Sequence, residues 1–341
     1  MFRGSSDLRG VADGPVSDSP KIIWTFRAPD GIKSQPSVAE GRVIFGSDDG
    51  KLRALDEGSG RLLWSYAAAG AIEAAPLLHS GLAIAGDESG ALHAVDAKTG
   101  KLRWKYAAED KIVGSAVPAT GSNDVGTIIF GSHDNNVRCL NATSGALVWS
   151  LETDGYVNAT PTIDGGCAIV GGCDSQIHII DVKTGHQTRA VEAGSYIAAA
   201  GAAAGGRFFV GNYDGSLLCL DLGSHEFAWR YEAKGGFFSS PAATKGHVVI
   251  GGRDKRVHCL DARSGKLLWA VATGGHVDAS PVIAGDRVIA ASRDGRLYIL
   301  ALSDGGTIAT IDLGSPMSAS PAVGGGKVFV ATEDGTVAMV R

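Results

Sequence analysis

One short turn recurs along the chain at a nearly fixed period, and that period constrains the fold more than any other feature. Asp56 to Gly60 (Asp-Glu-Gly-Ser-Gly), Asp96 to Gly100, Asn141 to Gly145, Asp181 to Gly185 and Asp261 to Gly265 are copies of the same element. Degenerate copies begin at Asp221 and Ala301. The copies lie 40 residues apart, except for 45 between the second and third. A tryptophan stands eight residues after the turn's first position at Trp64, Trp104, Trp149, Trp229 and Trp269, while Arg189 and Ala309 replace it in two copies. A second landmark precedes each turn: an apolar residue, three variable ones, then usually proline. It reads Ile32 to Pro36, Ile72 to Pro76, Val157 to Pro161, Phe237 to Pro241, Val277 to Pro281 and Met317 to Pro321. Ile112 to Ala116 and Ile197 to Gly201 keep the spacing without the proline, which makes eight copies.

Each copy reads as four short strands punctuated by turn residues. In the first copy the strands are expected near residues 32–39, 42–47, 51–56 and 61–67. Asp48-Asp49-Gly50, Asp294-Gly295 and Asp334-Gly335 are hairpin turns, where these residue types tolerate positive φ. No stretch keeps a 3.6-residue period. Four strands every 40 residues or so predict an all-β, eight-bladed β-propeller of four-stranded antiparallel blades.

The ends decide whether the ring closes. The eighth copy stops at Arg341, after its third strand, so its tryptophan-bearing strand is missing. Ile22-Ile23-Trp24-Thr25-Phe26 supplies one, with Trp24 standing 40 residues before Trp64. Residues 21–28 are therefore expected as the outer strand of the last blade, closing the ring and removing an exposed strand edge. Residues 21–341 form the propeller in this reading, and residues 1–20 an irregular N-terminal arm.

With 49 glycines among 341 residues, the composition suits many tight turns. A net charge of −5 argues against a nucleic-acid-binding surface. No run of 18 apolar residues is present, so no transmembrane helix is expected. A monomeric ring is the expected state. The start carries no apolar signal-like segment, and the five cysteines form no Cys-x-x-Cys, so no zinc is expected. Free thiols and that start favour the cytoplasm, with the periplasm or export as the alternative.

The landmarks Ser-Pro, Gly-Ser-x-Asp-Gly, Ala-x-Asp-x-x-Thr-Gly and the following tryptophan resemble the repeat of pyrroloquinoline-quinone (PQQ) dehydrogenases and their non-catalytic relatives, among them the outer-membrane assembly propeller lipoprotein. The best matching stretches are Gly90 to Trp104 and Ser280 to Pro281. The resemblance implies that the proline strand is innermost and that the tryptophans dock outer strands onto neighbouring blades. It then uses all six tryptophans as docking residues, leaving none to stack on a quinone. The adjacent cysteine pair of those enzymes is missing. No cofactor is therefore expected, PQQ included.

Repeated residues are read as structural. Cys139, Cys219 and Cys259 share one repeat position and read as small buried fillers. His93, His178 and His258 share another, with Arg53, Arg138 and Tyr298, and read as blade-surface residues. The aspartates Asp49, Asp134, Asp174, Asp214, Asp254, Asp294 and Asp334 read as turn chemistry. The five extra residues of the third blade fall in residues 120–126, a polar loop on the face opposite the funnel.

Function is expected where the blades differ. Three residues before the proline position stand Lys33, Glu73, Val113, Asn158, Ala198, Phe238, Asp278 and Ser318; two residues earlier come Lys111, Tyr156, Tyr196 and His276 among others. Hairpin tips on the same face add Asp48, Glu88, His133, Cys173, Tyr213, Arg253, Arg293 and Glu333. The candidate binding set is Lys33, Glu73, Lys111, Tyr156, Asn158, Tyr196, Tyr213, Phe238, His276 and Asp278. Its aromatic side faces a charged side across an axial funnel, as in many ligand and protein sites. These features favour a non-enzymatic scaffold binding a protein or small molecule. The alternative is a funnel enzyme drawing on Lys33, Glu73, His276 and Asp278, with His276 or Glu73 as general base and Lys33 stabilising negative charge; a PQQ-dependent oxidoreductase is the third reading.

Overall fold

The computed structural model describes residues 3–119 and 126–341. The sequence-predicted loop of residues 120–126 therefore lies, apart from Gly126, outside the described residues. Eight antiparallel sheets make an eight-bladed ring, and among the described residues there is no helix. The first two strands are β1 (Val11–Ala12) and β2 (Ile22–Arg27), and blade one consists of β3 (Ser37–Ala39), β4 (Arg42–Gly46), β5 (Lys51–Asp56) and β6 (Leu62–Ala67). The innermost strand is shorter than expected. Residues 32–36 leave the sheet and reach the neighbouring blade instead, the Ile32 amide donating to the Thr332 carbonyl over 3.3 Å.

Ring closure is as the repeat register requires. β2 pairs antiparallel with Thr336–Val340, and Trp24 lies opposite Met339. The last blade thus takes three strands from the C-terminus and one from the N-terminus.

The repeated turn and the tryptophan explain each other. Trp24 Nε1 donates to the Glu57 carbonyl at 2.9 Å, and Trp64, Trp104, Trp149, Trp229 and Trp269 do the same to Ala97, Ala142, Val182, Ala262 and Leu302 of the next blade. Gly60 has φ +70°, and a Cβ there would lie 2.6 Å from the Trp24 ring, so glycine supplies both the turn and the space. Asp56 completes the turn by accepting from the Ser59 amide and hydroxyl. One exception fits the same rule. Blade four has Arg189 in place of tryptophan, and the turn it faces carries His225 in place of glycine.

The core lies between blades rather than within them. One cluster combines Ile44, Leu52, Ala54 and Trp64 of blade one with Ile72, Ala83, Ala85 and Val95 of blade two. In six blades the apolar residue of the second landmark seats against a glycine of the preceding blade. At Gly46 an added Cβ would meet Ile72 Cγ2 at 2.2 Å. Middle strands are sandwiched on both faces, so β5 is buried at four consecutive positions.

That double burial corrects the reading of three histidines as surface residues. His93, His178 and His258 are at most 5% exposed, and each ring Nε2 contacts a turn aspartate: Asp87, Asp174 and Asp254, at 2.8–3.1 Å. Arg53 and Arg138 make the same link to Asp49 and Asp134, and the Tyr298 hydroxyl donates to Asp294. A polar side chain on the third strand thus ties down the hairpin turn beside it. Cys139, Cys219 and Cys259 are buried, as expected of fillers.

The N-terminal arm crosses the inner strands at the end of the channel opposite the funnel. Carbonyls of Ser6, Asp7, Arg9 and Gly10 accept from the amides of Ile163, Ala203, Ala243 and Ile283, one in each of blades four to seven. β1 pairs in parallel with Val282–Ala284. Leu8 is fully buried among Val117, Ala119, Ile163 and Ala200, and Val16 is buried between blades seven and eight.

Candidate functional site: the axial funnel

The inner-strand loops converge on the ring axis because every blade turns inward at the same repeat position. Lys33, Glu73, Val113, Asn158, Ala198, Phe238, Asp278 and Ser318, one from each blade, line an axial cavity of about 180 Å³. Five of the ten candidate residues are therefore brought to one cavity: Lys33, Glu73, Asn158, Phe238 and Asp278. Lys111, Tyr156, Tyr196, Tyr213 and His276 stand outside that lining.

The aromatic side is exposed. Tyr156, Tyr196 and Tyr213 are each about half exposed, at 51%, 52% and 48%. Tyr156 stacks on His133 with ring centroids 5.0 Å apart and planes 7° from parallel. Tyr196 meets Tyr213 edge-on at 6.4 Å, and Tyr213 packs on Phe238 at 4.4 Å. The Asn158 amide nitrogen lies 3.2 Å from Cys173 Sγ.

The polar side is internally paired. Lys33 Nζ is 2.6 Å from Glu73 and 3.5 Å from Asp48. The hydrogen bond to Glu73 raises the Lys33 pKa, while burial raises that of Asp48. Lys111 is held at 2.9 Å by Glu88, which raises its pKa too. Arg253 Nε and Nη2 donate to Asp278 at 3.0 and 3.3 Å, and Arg293 bridges Asp278 to Glu333. His276 Nδ1 sits 2.6 Å from the Arg253 carbonyl.

One residue outside the candidate set joins the two sides. The Arg253 guanidinium carbon lies 3.3 Å from the Phe238 ring centroid while its nitrogens hold Asp278. Arg253 and Arg293 are hairpin-tip residues, and the signal for them was their sharing one variable position in adjacent blades. Three of the four residues considered for catalysis are taken up in ion pairs, Lys33 with Glu73 and Asp278 with two arginines, while the fourth, His276, contacts a backbone carbonyl. Among the described residues no group of three His, Cys, Asp or Glu side chains is placed to hold a metal ion.

The repeat and the ring together match a known family. A family model described as outer membrane protein assembly factor BamB matches residues 17–123, 108–195, 189–270 and 253–340. The chain belongs to this family of PQQ-like propellers. Among solved structures, BamB from Moraxella catarrhalis aligns with a TM-score of 0.80 at 20% identity, covering 95% of this chain and 100% of that one. A computationally designed protein, Ika8, aligns with a TM-score of 0.79 at 16% identity, covering 92% of this chain and 96% of its own. At these identities the likeness is one of fold. No curated protein sequence matches the chain. Family membership fits a general protein-binding scaffold and leaves the particular surface open. No helix among the described residues is long and apolar enough to cross a membrane.

Proposed function

We propose that the chain is a non-enzymatic scaffold that holds a protein partner on its funnel face. The observation that carries this reading is the row Tyr156, Tyr196 and Tyr213, half exposed beside Phe238 and an arc of ion pairs. Rigid aromatic rings next to ordered charges are the composition of protein-binding hot spots, because they bury much area at little entropic cost. The pairing of Lys33 with Glu73 and of Asp278 with Arg253 favours recognition over acid–base chemistry, since neither pair leaves a free base beside a free acid. A quinone finds no tryptophan at the axis, because all six indoles dock onto a neighbouring blade.

The family's description as an outer-membrane assembly factor favours an exported compartment. The thiols weigh little against it. Burial raises the pKa of all five, pushing Cys139 to about 11 and Cys219 and Cys259 to about 12, and so disfavours the reactive thiolate, least at the partly exposed Cys167 and Cys173.

The test is affinity capture from expressing cells with wild type, a Tyr156→Ala/Tyr196→Ala/Tyr213→Ala variant, and a Lys245→Ala control on the opposite face. Loss of the same partners in the triple variant alone is expected. Retention of every partner by the triple variant would remove the funnel from the reading.

A further inference from the structure

The arm covers half of its end of the channel, and what it leaves open has the same chemistry as what it covers. In blades four to seven an arm carbonyl accepts the inward-pointing amide of Ile163, Ala203, Ala243 or Ile283. The equivalent amides in blades eight and one belong to Val323 and Val38. Both occupy the same register in their sheets, opposite Val328 and Val43, as Ile163 does opposite Ala168. Their N–H groups therefore also point inward, and among the described residues no backbone carbonyl meets them.

Both residues line a cavity of about 370 Å³ between the arm and blades eight and one. Its walls combine small apolar side chains, Val11, Ala12, Val38, Val282, Ala322 and Val323 among them, with polar ones and exposed backbone. Gln35, which also lines the axial funnel cavity, reaches it from the axis. That side chain is 7% exposed, and its Oε1 has no hydrogen-bond partner.

Arg3 gives the cavity its charge. It lines the wall, is 3% exposed, and donates to the carbonyls of Leu8, Pro241 and Pro281. Three bonds occupy only part of a guanidinium's five N–H groups. No carboxylate faces Arg3, and burial lowers its pKa to about 9, which still leaves it charged at neutral pH. The other ions of the lining, Lys327 and Glu57, neutralise each other at 2.7 Å. A buried cation without an anion is costly, and an incoming carboxylate relieves that cost.

We propose that this cavity binds a short extended peptide of small residues through its free C-terminal carboxylate. The amides of Val38 and Val323 take peptide oxygens as their counterparts take the arm's, Gln35 Oε1 accepts a peptide N–H, and Arg3 supplies the positive charge. The site lies toward the opposite end of the channel from the funnel; Gln35 alone lines both cavities, and the site uses none of the aromatic row on which the function proposed above rests.

Calorimetric titration of the purified chain with Ala-Ala-Ala, and with the same tripeptide as its C-terminal amide, tests the proposal. The acid binds at a single site about tenfold more tightly than the amide, the worth of one charge-assisted interaction. Arg3→Gln abolishes that preference, but it also loosens the arm. Val38→Pro is therefore the cleaner variant: it removes one inward N–H, and blade three already carries Pro118 at this position. It should weaken the acid about fivefold or more, the worth of one hydrogen bond, while leaving the melting temperature in place. A Tyr156→Ala/Tyr213→Ala variant should bind the tripeptide as wild type does. No binding at millimolar tripeptide, equal affinity for acid and amide, or unchanged binding by Val38→Pro would each overturn the proposal.

Discussion

The two mouths of the channel are built from the same eight inner strands and are finished in opposite ways. At the funnel mouth the differences between blades are side chains: Tyr156 and Tyr196 on one side, Lys33, Glu73 and Asp278 on the other. At the other mouth the blades present nearly identical backbone groups, and the difference is which of them the arm reaches. Blades four to seven are capped, whereas blades eight and one are open. Variation in a repeat can thus come from substitution or from a single non-repeated segment that breaks the symmetry of the ring. Arg3 illustrates the second route. Ser37 and Thr162 donate across to the Pro76 and Gly201 carbonyls of the next blade. Ala202 and Ala242 stand at the same position without a hydroxyl, and Arg3 donates to the two carbonyls they would have served, those of Pro241 and Pro281.

If this contrast is right, stability resides at the arm mouth and recognition at the funnel mouth. The largest effect is expected from deleting residues 1–20, which exposes the pockets of Leu8 and Val16 and four inner-strand amides. A loss of about 5 kcal/mol follows from burial and hydrogen bonding together, read as the shift in a urea melt. An unchanged midpoint would make the arm an ornament and break the contrast. Next comes Arg3→Met, which keeps the apolar stem but leaves two buried proline carbonyls unserved. About 2 kcal/mol is expected, with faster proteolysis of the arm than in wild type.

A pH series sharpens the comparison at the hairpin tips. Hydrogen bonds from Arg53 and Ser47 lower Asp49 to about 2, below its ordinary 3.8. Because the folded value is depressed, this stabilisation is complete above about pH 4 and is lost as pH falls toward 2. Arg53→Met should therefore melt earlier than wild type at pH 7 and approach it at pH 2.5, as followed by circular dichroism. A gap that stays constant across this window would deny Asp49 its role. The smallest effect belongs to the funnel: Tyr156→Ala and Tyr213→Ala should each shift stability by no more than about 0.5 kcal/mol, since their rings are half exposed. A larger loss in the same melt would mean that the aromatic row supports the ring rather than a partner.

Much of the fold was legible because propeller blades repeat. Trp24 announced the closing strand by standing one period before Trp64, and the structure pairs it with Met339. The axial ring was legible for the same reason, since one repeat position maps to one radius; all eight residues at that position line the cavity. Burial of the histidines was not. The strands of His93, His178 and His258 are covered on both faces by adjacent blades, so the alternation that separates inside from outside in a one-sided sheet is lost. Nor was the link from Arg253 to Phe238 and Asp278 legible, because it joins hairpin tips and inner loops of two blades.

The sequence by itself determined the number of blades, their docking residues and the closure of the ring, since each depends on a local pattern that recurs every 40 residues or so. The tertiary structure alone decided the path of the arm and the charge pairing around the funnel. Both depend on groups far apart in the chain meeting at the axis, as when Arg3 reaches Pro241 and Pro281, and no periodicity encodes a contact made only once.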